Sequence, residues 1–152
     1  MNVAVAVLWL FLAKGGLVSF GIGLIIGFVL LATFKPVLGS ADYVRRVWAF
    51  FAFLLVFTRE FVQSNVVIAK AALLRRVEDI HPNFITYDVS GMELWEIFLL
   101  SQCITLTPGT TTVDLIDDGN TLIVHAFDAD DPDEVRQAID QTLKYAILRF
   151  SR

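Results

Sequence analysis

Residues Tyr43–Leu74 read YVRRVWAFFAFLLVFTREFVQSNVVIAKAALL, a stretch with no Pro and no Gly. Because the two strongest helix breakers are missing, the stretch predicts one long helix. Its first part, Val47–Phe57, is apolar all round, and Arg59, Glu60, Gln63, Ser64, Asn65 and Lys70 follow. At about 100° per residue, Arg45, Arg59, Gln63 and Lys70 fall close together on the helix. Glu60, Arg46, Ser64 and Arg75 extend that face, and Leu54, Phe61, Val62, Val66 and Ile68 lie on the other side. A basic amphipathic helix of this kind is expected in a membrane surface or packed on a larger protein. The alternative is a tilted crossing, which puts Arg59 and Glu60 in hydrocarbon, where each needs a partner or a wet cavity.

Two apolar runs precede this helix. Val3–Ala13 is broken by Lys14-Gly15-Gly16, and Leu17–Phe34 carries no charge before Lys35-Pro36 stops it. The second run is long enough to cross a bilayer. A secretory leader is disfavoured, because no positive residue precedes Val3–Ala13 and Lys14 stands where a small-residue cleavage site belongs. Gly23 and Gly27 form a GxxxG spacing that lets another helix backbone approach closely. Two readings stand for this pair: a packing face inside a complex, or the ordinary abundance of Gly in membrane helices.

Charge chooses between topologies. Lys35, Arg45 and Arg46 come before the long helix, and Lys70, Arg75 and Arg76 after it. Both sets belong on the cytoplasmic side. A transmembrane hairpin over 1–35 followed by an interfacial helix over 43–76 satisfies both, although Val3–Ala13 is short for a span. Lys14 snorkelling outward and a locally thinned bilayer would help.

The character changes at His81-Pro82. Phe84–Val89 alternates as a strand does, and Ser90-Gly91 opens a helix over Met92–Cys103 with Glu93 and Glu96 at its positive end. Thr107-Pro108-Gly109-Thr110 suits a type II turn, with Pro fixing φ and Gly supplying φ > 0. Thr111–Ile116 and Thr121–Phe127 read as a hairpin joined at Asp117-Asp118-Gly119-Asn120. Asp131, Pro132 and Glu134 fit the start of a last helix that runs to about Phe150. The expected fold class is an α+β membrane protein: N-terminal transmembrane helices, a long amphipathic helix, then a small β-α-β-β-α cytoplasmic domain over 77–152.

Composition agrees with this division. The chain has 152 residues, 56% hydrophobic, with thirteen Phe and three Trp. That length suits a small domain and a few helices and excludes a large catalytic machine. Residues 1–76 hold eight Lys/Arg and two Asp/Glu, about +6, and residues 77–152 hold four and fourteen, about −10. Cys103 is the sole cysteine, so no internal disulfide can form, and it reads as a small buried side chain.

No constellation carries enzymatic chemistry. The acidic run Asp128, Asp130, Asp131, Asp133, Glu134 lacks the glycine and terminal Glu of a calcium loop and reads as a cap and solvated loop. His81 and His125 are too few for a zinc site. Phosphate loops, nucleophile elbows and zinc-helix motifs are missing, so catalytic, cofactor-binding and metal residues are expected to be none. The basic residues sit in a membrane-type helix, which argues against nucleic acid. Arg59 and Glu60 are the one pair suited to a proton or cation route.

The segments Ser101-Gln102-Cys103-Ile104-Thr105-Leu106-Thr107-Pro108-Gly109-Thr110, Thr112-Val113-Asp114 and Leu122-Ile123-Val124-His125-Ala126-Phe127-Asp128 carry a family likeness. So do Glu60-Phe61-Val62-Gln63-Ser64-Asn65, Trp9 and the glycines of 21–27. Together they resemble the E subunits of the multisubunit Mrp (Mnh) monovalent cation/proton antiporters of bacteria. The resemblance implies a small integral membrane component of a seven-subunit complex that exchanges cytoplasmic sodium for external protons and supports alkali and salt tolerance. It implies an accessory role, with most ion-translocating residues on larger subunits, and brings no catalytic residue or cofactor with it. The implied partners are the other antiporter subunits and the lipid bilayer, with Na+ and H+ carried by the complex.

Three functions follow. The first is an accessory structural role that supports assembly and Na+ efflux, and the second is direct contribution of an ion-path group by Arg59 or Glu60. The third is a stand-alone membrane-anchored sensor. Thr107, Pro108 and Gly109 are candidates for an interface, with a plain helix-to-strand turn as the simpler role.

Overall fold

The computed structural model describes residues 1–13, 15–116 and 119–152. Lys14 and the Asp117-Asp118 half of the expected hairpin turn lie outside the described residues. The chain forms two compact units, Met1–Trp48 and Ala49–Arg152.

In the first unit, α1 (Asn2–Leu12) and α2 (Leu17–Thr33) pair as a hairpin. A short turn of helix, α3 (Lys35–Leu38), follows and ends at Gly39. The long helix α4 (Ala41–Leu74) begins in this unit and runs on into the second. Ser40, itself buried, donates its Oγ to the Leu31 carbonyl at 2.7 Å and so ties the start of α4 to the end of α2. The two apolar runs thus become helices at almost their expected bounds.

The second unit is built on the last part of α4 and a three-stranded sheet. Its strands are β1 (Asn83–Asp88), β2 (Thr110–Ile116) and β3 (Thr121–Ala126), in the order β1-β3-β2. Both neighbours run antiparallel to β3, so β1 and β2 are parallel to each other and α5 (Leu94–Leu106) connects them. Strand alternation puts Ile85, Tyr87, Leu122, Val124 and Ala126 on the buried face. Against Tyr87, Leu122 and Val124 pack Ile97, Leu100, Cys103 and Ile104 of α5 and Ile139, Leu143, Ala146 and Ile147 of the C-terminal helix. A bulge at Val113 shifts the β2 register between Thr112 and Asp114.

Local chemistry explains where α5 starts. Glu93 is the N-cap, and Glu96 reaches back to the Glu93 N–H at 2.8 Å, a reciprocal capping box. The helix therefore begins at Leu94 rather than Met92, and it runs to Leu106, past the expected Cys103. The last helix begins as expected, with Asp131 accepting from the Asp133 N–H at 2.8 Å and Pro132 at the first position. It passes from α6 (Pro132–Ile139) through a π-helical stretch, Asp140–Lys144, into α7 (Tyr145–Ser151). No signal in the sequence marks the π stretch. It sets Asp140 to accept from the Tyr87 hydroxyl at 2.5 Å, and Lys144 to reach the Asp88 carbonyl at 3.0 Å.

Candidate functional site

The residues singled out from sequence fall into three places. Gly23 and Gly27 line the crossing of α1 and α2. A Cβ on Gly23 would sit 2.7 Å from the Ala6 Cα, and one on Gly27 would run into the Asn2 side-chain carbonyl. The GxxxG face therefore packs on a helix of its own chain, a close approach that only a bare backbone allows. Asn2, at that crossing, donates its amide to the Tyr43 hydroxyl at 2.7 Å.

Arg59 and Glu60 part company, because consecutive helical residues point about 100° away from each other. Arg59 is exposed and makes no ion pair among the described residues. Glu60 is half-buried and belongs to the side of α4 that meets the β-sheet domain, together with Phe53, Phe57, Ser64, Ile68, Ala71 and Arg75. Spacings of three and four residues make that side a continuous seam. The helical wheel puts Ile68 on the outward apolar face, with Phe61 and Val62. Instead its side chain meets the Gly109 position, where a Cβ would come within 3.1 Å of the Ile68 Cδ1.

Thr107-Pro108-Gly109-Thr110 forms the expected turn. The Thr110 N–H donates to the Thr107 carbonyl at 3.2 Å, and Gly109 has φ +99°. The turn is locked from several sides. Thr107 Oγ1 donates to the Cys103 carbonyl and Thr110 Oγ1 to the Ile104 carbonyl, both at 2.8 Å. The Phe127 N–H donates to the Gly109 carbonyl at 2.7 Å. These bonds satisfy the carbonyls that end α5 and join the turn to the end of β3.

Glu60 and this turn, unrelated in sequence, line one cavity of about 540 Å³. Its walls are the α4 seam from Glu60 to Arg75, the turn, and Phe127-Asp128. A second cavity, of about 250 Å³, has Glu60, Thr107 and Thr110 on one side and Glu134, Val135 and Thr142 on another. Glu60 thus stands between two hollows, and its carboxylate makes no ion pair among the described residues.

One end of the larger cavity is lined by a charged knot that sequence reading missed. Asp128 accepts from the His81 backbone N–H at 3.1 Å and pairs with the Arg75 guanidinium. Arg75 also donates to the Asp79 carbonyl, and the Ala129 N–H to the His81 carbonyl at 2.9 Å. The His81 N–H, and then Arg75, hold the Asp128 carboxyl below its ordinary range. The acidic run 128–134 thus divides: Asp128 is a tether and Asp131 a helix cap. His81 Nδ1 lies 2.8 Å from Asp130. Only Arg75, at the end of the basic helix, hinted at such a tether.

Glu96, Tyr87 and Cys103 are buried in the domain core. Glu96 is buried, which alone would raise its pKa, but donation from Ser151 Oγ at 2.6 Å, the Glu93 N–H and Arg152 outweighs burial and holds the carboxyl low. Burial raises the Tyr87 hydroxyl, and Asp140 beside it adds to the shift. Burial pushes the Cys103 thiol up to about 11, the state of an inert packed thiol. Among the described residues, no three His, Cys, Asp or Glu side chains come together as a metal site.

The comparisons with known proteins agree on one assignment. Residues 2–150 match the MNHE family, whose description is "Na+/H+ ion antiporter subunit". The chain is 29% identical to the E subunit of the Na(+)/H(+) antiporter of Alkalihalophilus pseudofirmus, over all of this chain and 96% of that protein. It is 30% identical to the corresponding E subunit of Bacillus subtilis over the same shares. Among solved structures, a chain of the Mrp complex from Dietzia sp. DQ12-45-1b superposes with a TM-score of 0.53 at 28% identity, covering 68% of this chain and 96% of that one. A chain of an archaeal membrane-bound sulfane sulfur reductase shares the fold, with a TM-score of 0.52 over 86% of this chain and 82% of that one. With helices ahead of a three-stranded antiparallel sheet, and a match from end to end, the chain belongs to the family of Na+/H+ antiporter E subunits.

Proposed function

We propose that this chain is an accessory structural component of a multisubunit Na+/H+ antiporter in the bacterial cell membrane, holding larger subunits in place. The observation that carries this reading is the apolar surface the chain leaves bare. On α1 and α2, Phe11, Leu12, Leu17, Val18 and Ile25 are each more than 60% exposed. Only 6% of the residues in the apolar stretch of α4 are buried. Such surface is stable only against lipid or partner helices.

In this reading residues 1–35 form a membrane hairpin, 43–76 an interfacial helix and 77–152 a cytoplasmic domain. The hairpin helices are short, about 16 and 25 Å at about 1.5 Å per residue, so they call for a locally thinned bilayer. The helix α4 is long enough to cross a bilayer by length and composition. Its contacts favour the surface instead. Phe53, Val56 and Phe57 pack into the core of the sheet domain, Ile68 meets its 107–110 turn and Arg75 pairs with Asp128. The stretch of α4 before that contact falls short of the roughly 20 residues a span needs. On the rest of the helix Leu54, Phe61, Val62 and Val66 are exposed, apolar surface that a helix lying in the interface can seat in lipid.

Deleting residues 77–152 tests the role. Large antiporter subunits should no longer co-purify in normal yield, and exchange in membrane vesicles should fall with them. Full assembly and normal exchange after the deletion would overturn it.

Glu60 supports a second reading, an ion-path group, because it is half-buried between two cavities with no ion pair among the described residues. Glu60→Gln in the assembled complex should then shift the pH dependence of exchange. An unchanged rate and pH profile would remove Glu60 from the path.

A further inference from the structure

Helix α5 buries Ile97, Leu100, Cys103 and Ile104 in its own domain. Its opposite side is also apolar. Leu94 is 75% exposed, Trp95 46% and Phe98 65%, one turn of contiguous surface on a domain whose sequence otherwise reads as soluble. Exposed aromatic side chains clustered this way mark a surface that something covers.

This patch does not stand alone. The Trp95 ring lies 6.2 Å from Phe150, and Phe150 lies 5.6 Å from Phe50 and 5.3 Å from Phe53 on α4. Phe50 in turn meets Phe51 at 6.1 Å, and Phe51 and Leu54 open onto the outward face of α4. A chain of ring contacts therefore runs from α4 through Phe150 to Trp95 on α5, with the Glu93 carboxylate at its rim. Whatever medium covers the α4 face extends over the start of α5. The polar fittings suit a boundary between lipid and water. The Trp95 indole N–H donates to the Glu93 carboxylate at 2.7 Å, so the ring has its apolar body outward and its polar edge satisfied at the rim. Trp is enriched at membrane interfaces for that reason.

We propose that Leu94, Trp95 and Phe98 form a second membrane-contact patch, which seats the sheet domain on the bilayer surface beside α4. The proposal rests on the reading of α4's outward face as lipid-facing. The occupant is the lipid interface rather than a protein groove, because the patch continues a helix face already composed for lipid. It converts the domain from one tethered at α4 into one held at two places.

Depth-dependent fluorescence quenching tests it. The full chain carrying Trp9→Phe and Trp48→Phe, so that Trp95 is the one indole left, is placed in phosphatidylcholine nanodiscs. The lipids carry bromine either just below the headgroup or deep in the chains. Shallow bromine should quench Trp95 strongly and deep bromine weakly. A matched chain with Trp95→Phe and Phe61→Trp reports on α4. Quenching at position 61 with none at 95 overturns the proposal and leaves the α4 reading standing; no quenching at either position overturns both. Quenching at 95 that fades as the protein-to-lipid ratio rises would assign the patch to a second copy and also overturn the proposal. Phe98→Cys bearing an environment-sensitive dye gives the same readout without the Trp background, since Cys103 is buried. Its emission should shift to the blue on transfer from detergent to nanodiscs, and an unshifted spectrum would count against the patch.

Discussion

Glu60 and Arg59 are adjacent in sequence and serve different surfaces. The helical wheel places both near the basic side of α4, and only packing shows that Glu60 turns inward while Arg59 stays in the open. Gly109 was legible because a Pro-Gly pair in a turn needs φ > 0 at the second residue. Asp128 was not legible as a tether, because its partners, the His81 backbone and Arg75, are distant in sequence. Its carboxyl is held low in the folded chain. A depressed carboxylate stabilises the fold above its unfolded pKa of about 3.9, and that contribution is lost as pH falls through the folded value. Acid unfolding of the sheet domain should therefore steepen below about pH 4. Asp128→Asn should lower stability at neutral pH and flatten that acid limb. Circular dichroism followed against pH checks this, and an identical acid limb in the variant would show that Asp128 does not couple to folding.

At the scale of elements, helix and strand periods carried far. The long helix, the three strands and the capped start of the last helix stand where spacing puts them, because each signal is local: missing breakers, alternation, an N-cap. Which side of α4 meets the domain was not local. Apolar residues ring its first part, so composition could not choose Phe53 and Phe57 over Phe51 and Leu55. In the structure Phe53 is buried, stacked 6.3 Å from Phe57, and joins the core of the sheet domain. Phe53→Ala should cost about 3–5 kcal/mol, the usual range for deleting a core aromatic. Chemical denaturation in detergent micelles, read by Trp95 emission in a chain carrying Trp9→Phe and Trp48→Phe, measures it. A cost below about 1 kcal/mol would mean the ring is lipid-facing instead.

For the molecule as a whole, the split of about +6 against −10 suggests an acidic domain held electrostatically to a basic helix. Within Ala49–Arg152 the attachment is of another kind. Phe53 is buried in the domain core with Val56 and Phe57 packed against it and Ile68 meets the turn, while among the described residues one ion pair, Arg75 with Asp128, joins the end of the helix to the domain. Surface charges are screened at molar salt, where the Debye length is about 3 Å, but apolar contacts are not weakened by it. Molar NaCl should therefore leave the domain docked, with proteolysis between residues 76 and 82 no faster than at low salt. Faster cleavage at high salt would mean that charge holds the domain.

The sequence by itself determined the division into apolar and acidic halves, the two hairpin helices, the long helix and the three strands, the turn at Pro108-Gly109 and the family. Each of these depends on composition, on a short period, or on a motif read along the chain. Tertiary structure alone decided which side of α4 is covered, that Glu60 joins the 107–110 turn around one cavity, and that Asp128, tethered to His81 and Arg75, lines its end. Those depend on contacts between residues far apart in the chain, and on rotations of about 100° per residue that send neighbours to different surfaces.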